Sequence, residues 1–230
     1  MIKAVLFDLD GTLLDRDTSV RLFIQNQYER LKPYLSHIEK EMYVERFIAL
    51  DDRGYVWKDK VYQQLVEEFS IPYSAGDLLA DYLQEFKHHC VPYEHIHSMI
   101  QQLKNKRLKL AIITNGYGQF QLDNIKALGI ESEFETILIS EWEGIKKPDS
   151  VIFHRALTKL DVEVSASIYI GDHPVNDVKA ANQAGMIGVW KRNEWFEERG
   201  TDTGYAVNDL LEILKIIESI EGEDSLSIIR

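Results

Sequence analysis

The chain alternates between short apolar runs and longer segments with the periodicity of helices. The apolar runs occupy residues 4–7, 109–113, 136–139, 167–170, 187–190 and 205–207. Apolar residues at helical spacing lie between most of these runs, over residues 95–106, 119–128, 149–160 and 175–184. Apolar strands joined by crossover helices are typical of a parallel sheet covered on both faces. We therefore predict an α/β fold with a doubly wound parallel sheet.

The interval between the first and second predicted strands breaks this rhythm. It contains no convincing strand, and its helical patterns cover residues 20–31, 38–50, 58–69 and 75–88. Four helices inserted into one crossover would sit on the carboxyl side of the sheet, and the alternative is a structural layer packed elsewhere. We expect a core domain of residues 1–16 and 91–230, an inserted helical domain over 17–90, and a frayed tail over 221–230.

Composition narrows the function classes. With 38 acidic and 26 basic residues the net charge is −12, which disfavours non-specific binding to nucleic acid or anionic membranes. Cys90 is the single cysteine, so no internal disulfide can form. The sequence reaches Asp8 before a signal-peptide apolar region is complete, and no stretch approaches the roughly 18 residues of a membrane span. We expect a cytoplasmic protein with no membrane or nucleic-acid partner.

The first apolar run ends in two carboxylates, Asp8 and Asp10, followed by Gly11 and Thr12. Like charges one residue apart in a half-buried cleft need a compensating cation, and a divalent metal is the natural one. The alternative is a strand end followed by an ordinary polar turn. Carboxylate oxygens suit Mg²⁺ better than zinc, so we predict Mg²⁺ as the cofactor.

Three further polar motifs follow later apolar runs, namely Thr114-Asn115-Gly116, residues 146–149 (Lys-Lys-Pro-Asp) and residues 171–177 (Gly-Asp-His-Pro-Val-Asn-Asp). Together with Asp8-Leu9-Asp10-Gly11-Thr12, they resemble in order the motifs of the haloacid dehalogenase superfamily, whose first motif is Asp-x-Asp-x-Thr. The resemblance covers residues 5–185. It implies a Rossmann-like core, a helical cap of the C1 type (subfamily I) and a phosphatase-like hydrolase.

The resemblance also implies roles for the acidic residues. Asp8 is expected to attack phosphorus and form an aspartyl-phosphate, while Asp10 protonates the leaving oxygen and later activates water. The family precedent assigns the metal to the carboxylates of Asp8 and Asp172 and to the backbone carbonyl of Asp10. Asp8 and Asp172 end side by side if the first and fourth strands are neighbours.

The remaining motif residues are expected to hold the phosphoryl group. Thr114, Asn115 and the Gly116 N–H can bind its oxygens, although Thr-Asn-Gly alone is a turn sequence. Lys147 matches the family position and would offset the negative charge, with Lys146 as the solvated neighbour that competes for this role.

Four assignments keep an ordinary structural alternative. Thr12 orients the first loop or is a turn hydroxyl. Asp177 holds Lys147 or a metal-bound water, or is an acid favoured at a helix start. Arg53 and Tyr55 contact the leaving group from the cap, or belong to an ordinary loop.

The resulting prediction is a Mg²⁺-dependent phosphatase acting on a small phosphorylated metabolite. A phosphomutase or a phosphonatase of the same superfamily is an alternative, and a non-catalytic binding protein is another. The set of Asp8, Asp10, Lys147 and Asp172 argues against the last. The sequence leaves open whether the substrate is a nucleotide, a sugar phosphate or phosphoglycolate, and whether the protein is a monomer or a homodimer.

Overall fold

A computed structural model describes residues 1–196 and 204–227, with side chains described up to residue 222. The chain divides into two compact units. The core unit comprises residues 1–15 and 92–230, and the helical unit comprises Arg16–Val91. The helical unit extends one residue beyond the predicted segment at each end.

The core unit is built on a six-stranded sheet with the order β3-β2-β1-β4-β5-β6. Every neighbouring pair of strands is parallel. The strands are β1 (Ala4–Phe7), β2 (Lys109–Thr114), β3 (Thr136–Ile139), β4 (Ser167–Gly171), β5 (Ile187–Lys191) and β6 (Tyr205–Val207). The predicted doubly wound parallel sheet is thus confirmed. Its strand order reverses at β1, where open α/β sheets form ligand crevices.

The strand register aligns the polar motifs. Phe7, the last residue of β1, pairs with Ile112 of β2 and Ile170 of β4. All residues of β1 are buried, as expected for a central strand that has helices on both faces. The chain therefore leaves β1, β2 and β4 at one edge of the sheet, and each exit begins a polar loop.

Helices cover the sheet of the core unit. They are α6 (Ile96–Asn105), α7 (Gly118–Ala127), α8 (Ser140–Glu143), α9 (Ser150–Leu160), α10 (Ala180–Ala184) and α11 (Glu212–Ser227). The Asp149 carboxylate caps α9 by accepting from the Val151 N–H at 2.9 Å. Phe153 of α9 packs edge-to-face on Tyr169 of β4, with the ring centroids 4.9 Å apart. This contact belongs to a buried cluster that joins α9 and α10 to the sheet.

The helical unit consists of α1 (Arg16–Arg30), α2 (Lys32–Leu35), α3 (Lys40–Asp51), α4 (Lys58–Phe69) and α5 (Ala75–Glu85). Glu39 caps α3 and Ser74 caps α5 through their side chains. The interior of the unit is aromatic, and Phe47 and Tyr62 lie within 5.3 Å of each other, measured between ring centroids. Burying several aromatic rings gives these helices a core of their own.

A buried ionic group ties three helices of this unit together. Asp51, at the end of α3, accepts a hydrogen bond from Arg16 Nη2 at 2.7 Å and forms an ion pair with Lys58 Nζ. We call Arg16, Asp51 and Lys58 the Asp51 cluster. Burial opposes ionisation of Asp51, but the two cations outweigh it and hold the pKa of its carboxyl below the ordinary 3.8.

Residues 175–184 of the core unit are helical as predicted, although the segment starts as a π-helical turn (Pro174–Lys179) that leads directly into α10. One sequence expectation for the core unit is wrong. The chain is not frayed from residue 221, because α11 continues to Ser227. Residues 228–230 of the predicted tail lie outside the described residues. Among residues 1–196 and 204–227, no helix has the length and apolar character that a membrane span requires.

Candidate active site

The site begins where β1 ends at Asp8. Its N–H donates to the Ile170 carbonyl of β4 at 2.8 Å, which anchors the residue to the sheet. The chain then turns back, and the Leu9 carbonyl accepts from the N–H groups of the following turn. Gly11 has φ +78°, and a Cβ there would overlap the Asp172 carboxylate. Glycine at position 11 therefore lets this loop approach Asp172.

The ammonium group of Lys147 is surrounded by oxygen atoms of three side chains. Its Nζ donates to Asp8 Oδ1 at 2.6 Å, to Asp177 Oδ1 at 2.6 Å and to the Tyr169 hydroxyl at 2.8 Å. Only 4% of Lys147 is exposed. All three donor hydrogens of the ammonium are used, so its position is fixed from three sides. We call Asp8, Lys147 and Asp177 the core charge cluster.

The electrostatics of this cluster differ from those of an ordinary ion pair. Burial raises the pKa of Asp8 to about 7, and the opposing effect of Lys147 is insufficient to reverse it. Burial alone would lower the pKa of Lys147, but Asp177 and Asp8 raise it well above 10.5. Lys147 is therefore held as an ammonium ion, with Asp177 as its stronger partner. A second cation near Asp8 would favour its carboxylate form.

Asp172 completes a group of carboxylates at this edge of the sheet. Ligand atoms of Asp8, Asp172 and Asp177 lie within 4.8 Å of one another. Asp177 is engaged through both oxygens, because Oδ2 accepts from the His173 N–H at 2.9 Å. Three carboxylates around one ammonium leave an excess of negative charge. An all-oxygen donor set of this kind fits a hard divalent cation.

Asn115 and Gly116 already have partners within the protein. The Asn115 side chain accepts from the Lys147 N–H at 2.9 Å and donates to the Lys147 carbonyl at 3.0 Å. The Gly116 N–H donates to the Ser140 hydroxyl at 3.0 Å. Asn115 thus ties the loop after β2 to the loop that carries Lys147.

Thr114 and Thr12 are both buried. The Thr114 hydroxyl accepts a hydrogen bond from Gln121 at 2.7 Å. The Thr12 hydroxyl makes no hydrogen bond to any described residue, so its expected orienting role has no visible contact. Asp10, two residues earlier, receives a hydrogen bond on Oδ2 from the same Gln121.

A family model described as haloacid dehalogenase-like hydrolase matches residues 5–190, a stretch that contains all of these loops. The chain belongs to this family. The resemblance inferred from the motifs is thereby confirmed.

Relatives of this hydrolase cover nearly its whole length. Glyceraldehyde 3-phosphate phosphatase from Pyrococcus abyssi is 26% identical in an alignment of 235 positions, gaps included, that covers 97% of each chain. N-acylneuraminate-9-phosphatase from Rattus norvegicus is 24% identical in an alignment of 257 positions, gaps included, that covers 99% of this chain and 98% of its own. The crystal structure of a phosphatase of this family from Thermococcus onnurineus superposes with a TM-score of 0.67 at 26% identity, covering 94% of this chain and 98% of that one.

Several residues that contact the site residues of this family member were not predicted from the sequence. Gln121 lies on α7 at a core-facing position of a helix whose other buried positions include Gly118 and Ile125. A polar residue at such a position is the signal that could have revealed it. Tyr169 and Ser140 gave no comparable signal. Asn193 donates to the Asp172 carbonyl at 2.9 Å from beyond β5, outside every motif.

The residues predicted to contact the leaving group lie in the helical unit. Arg53 has φ +54° in the turn after α3, and its guanidinium lies 4.0 Å from the Asp17 carboxylate. Tyr55 follows two residues later and is exposed. Their expected role stays a prediction.

Proposed function

We propose that this protein is a Mg²⁺-dependent phosphatase that hydrolyses a small phosphomonoester through an aspartyl-phosphate on Asp8. The observation that carries the proposal is the excess of carboxylate over ammonium at the carboxyl edge of the sheet. Such a site binds a phosphate dianion only when further positive charge is supplied. The family relationship is consistent with hydrolysis of a phosphate ester.

The carboxylates fit the divalent cation that this chemistry needs. Asp8 and Asp172 would hold Mg²⁺ together with the backbone carbonyl of Asp10, and Asp177 lies close enough to hold a water ligand of the ion. When bound, Mg²⁺ supplies the charge that lets a phosphoryl group approach the Asp8 carboxylate.

The protein groups perform the two halves of the reaction. Asp8 attacks phosphorus while Asp10 gives a proton to the leaving alcohol, and Asp10 then takes a proton from the water that hydrolyses the aspartyl-phosphate. Lys147 offsets the charge of the transferring group while it remains held by Asp177.

The loop after β2 is proposed to bind phosphate, and its three motif residues have different roles. Thr114 and the Gly116 N–H would bind phosphoryl oxygens, with the Gly116 N–H exchanging its bond to Ser140 for one to substrate. Asn115 would act chiefly by fixing the backbone of Lys147, since both ends of its amide are used there.

The substrate class is proposed as a small phosphorylated metabolite with a polar, sugar-like leaving group. The two relatives described above are named for phosphate esters of a triose and of an acylneuraminate. Arg53 and Tyr55 of the helical unit are proposed to contact that leaving group, in the manner of a C1-type cap.

The experiment is a screen of phosphorylated metabolites that measures phosphate release with Mg²⁺, with EDTA and with the Asp8→Asn variant. We expect release with Mg²⁺, loss in EDTA, recovery on adding Mg²⁺, and at least a roughly 10³-fold loss in Asp8→Asn. Rapid acid quench and intact-protein mass spectrometry should detect a phosphoenzyme in the wild type only. Full activity of Asp8→Asn would overturn the assignment of the nucleophile.

A further inference from the structure

Gln121 donates a hydrogen bond to the Asp10 side chain, and none of the four sequence motifs includes it. Its Nε2 donates to Asp10 Oδ2 at 2.6 Å and to the Thr114 hydroxyl at 2.7 Å. Gln121 is 2% exposed. A side chain buried to this degree holds its hydrogen-bond partners without competition from solvent.

The orientation of the Gln121 amide is set by its neighbours. Nε2 faces three oxygen atoms, the third being the Asn115 carbonyl at 3.3 Å. Oε1 accepts from Asn124 Nδ2 at 3.3 Å on the other side. A flipped amide would place an oxygen against the Asp10 carboxylate and a donor against a donor, so only one orientation satisfies these contacts.

The backbone around Gln121 is also shaped to admit it. Gly116 has φ +152°, and a Cβ at that position would lie 2.8 Å from Gln121 Cγ. The glycine of the Thr-Asn-Gly motif therefore leaves space for the side chain that reaches Asp10. The hydrogen bonds of Gln121 thus join α7 to the loop after β2 and to the loop after β1.

We propose that Gln121 is a positioning residue that directs proton transfer by Asp10 to the Oδ1 atom. An amide NH₂ group only donates, so Oδ2 stays an acceptor in both protonation states of Asp10. Oδ1 receives no hydrogen bond from any described residue, and it remains available for the leaving group. The inference rests on the proposed function, because it assigns an atom to the proton transfer proposed for Asp10.

The proton that Asp10 gives up in the first step is returned to it in the second. As the bond between phosphorus and the ester oxygen breaks, the proton on Oδ1 passes to that oxygen and leaves the Asp10 carboxylate. Water then attacks the aspartyl-phosphate and gives its proton back to Oδ1, which releases phosphate and restores Asp8. Gln121 keeps the same hydrogen bond to Oδ2 throughout.

The test uses the full-length protein with Mg²⁺ and compares Gln121→Met with Gln119→Met. Gln119 is an exposed glutamine of the same helix, so its replacement controls for changes to α7. First-turnover rates are measured for an alkyl phosphate, whose leaving group needs a proton, and for 2,4-dinitrophenyl phosphate, whose leaving group does not. For Gln121→Met we expect the alkyl rate to fall by roughly 30- to 100-fold and the dinitrophenyl rate by less than about threefold.

Hydrolysis of the phosphoenzyme should also slow in Gln121→Met, because the same oxygen activates water, and the phosphoenzyme should accumulate. Equal losses with both substrates would indicate general damage to the site and overturn the inference, as would rates equal to those of Gln119→Met. Gln121→Leu also removes the donor without adding a charge beside Asp10, and it decides the question if the Met variant does not fold.

A crystal structure of Gln121→Met supplies a measurement that is independent of turnover. We expect the Asp10 carboxylate to rotate away from its present position, whereas an unmoved carboxylate would overturn the positioning role. An active wild type whose Gln121 variants behave as the control would refute this inference alone. A wild type with no phosphatase activity would remove the proposed function and the inference together.

Discussion

Each unit contains a cluster of carboxylates and cationic side chains, but the ratio of carboxylates to cations is opposite in the two clusters. The core charge cluster places one ammonium, Lys147, between two carboxylates, whereas the Asp51 cluster places one carboxylate between two cations. The pKa of Asp8 is raised to about 7 and that of Asp51 is lowered. Arg16 also lies 3.8 Å from the Asp17 carboxylate, which balances the Asp51 cluster, whereas the core charge cluster needs a further cation to be balanced. An unbalanced buried charge points to a functional site more directly than burial alone.

The largest effect is expected from replacing the buried lysines. Lys147→Met leaves Asp8 and Asp177 without their cation, so we expect at least a roughly 10²-fold loss of turnover and about 3–5 kcal/mol of lost stability near neutral pH. Lys58→Met is the matched change in the helical unit. It should cost only about 1–2 kcal/mol, because Arg16 still neutralises Asp51. Urea unfolding followed by circular dichroism measures both, and equal costs would contradict the comparison.

Asp51→Asn should destabilise the helical unit by about 3 kcal/mol at neutral pH, because it leaves the buried Lys58 and the half-buried Arg16 facing a neutral amide. The pKa of Asp51 in the folded protein is below 3.8, so its ionic contribution is complete above that pH and is lost as the pH falls through the folded value. The difference between variant and wild type should therefore shrink below about pH 4. Glu67→Gln, an exposed acid of α4, serves as the control and should change little at any pH. A pH-independent difference for Asp51→Asn would show that the ion pairs are not its source.

Asp8→Asn should instead stabilise the protein, raising the free energy of unfolding by about 1–2 kcal/mol at pH 8 in EDTA. The folded pKa of Asp8 is above its ordinary value, so ionising this carboxyl destabilises the fold progressively as the pH rises from about 4 to 7. Asparagine removes that cost, although it abolishes turnover. The gain should shrink as the pH falls below about 7 and on adding Mg²⁺. Lower stability of Asp8→Asn at pH 8 without metal would mean that the core charge cluster is balanced by itself.

The smallest effects are expected at Arg53 and Tyr55. If they contact the leaving group, Arg53→Ala and Tyr55→Ala should change the ratio of kcat/KM between a metabolite phosphate and 4-nitrophenyl phosphate by roughly threefold to tenfold. The small aryl ester makes few remote contacts, so its own turnover should change less. Unchanged ratios in both variants would leave specificity to other residues of the helical unit.

The sequence predicted the sheet well because central parallel strands are apolar along their whole length. The bounds of β1, β3 and β6 agree with the predicted runs, and the polar motifs follow β1, β2 and β4 as expected. Helix ends were less certain, as the continuation of α11 to Ser227 illustrates. Its polar last turns carry no local signal that distinguishes a helix from a tail.

The site could be predicted at the level of motifs but not of partners. Asp8, Lys147, Asp172 and Asp177 follow from the motif order, and the structure brings them together. The contacts of Gln121 with Asp10 and of Tyr169 with Lys147 join residues 111 and 22 positions apart. Such contacts depend on the crossing of separate elements, which no local pattern encodes.

The π-helical turn at Pro174–Lys179 constrains the number of residues between Asp172 and Asp177. It contains one more residue per turn than an α-helix would allow, and the Val178 N–H bonds to the His173 carbonyl across that wider turn. Deleting one residue here would restore regular winding but rotate Asp177 by about 100° relative to Asp172. The spacing of these two carboxylates is thus fixed by the number of residues between them as much as by their identity. Insertions and deletions in this turn should be less tolerated than substitutions of its exposed residues, Val175 and Lys179.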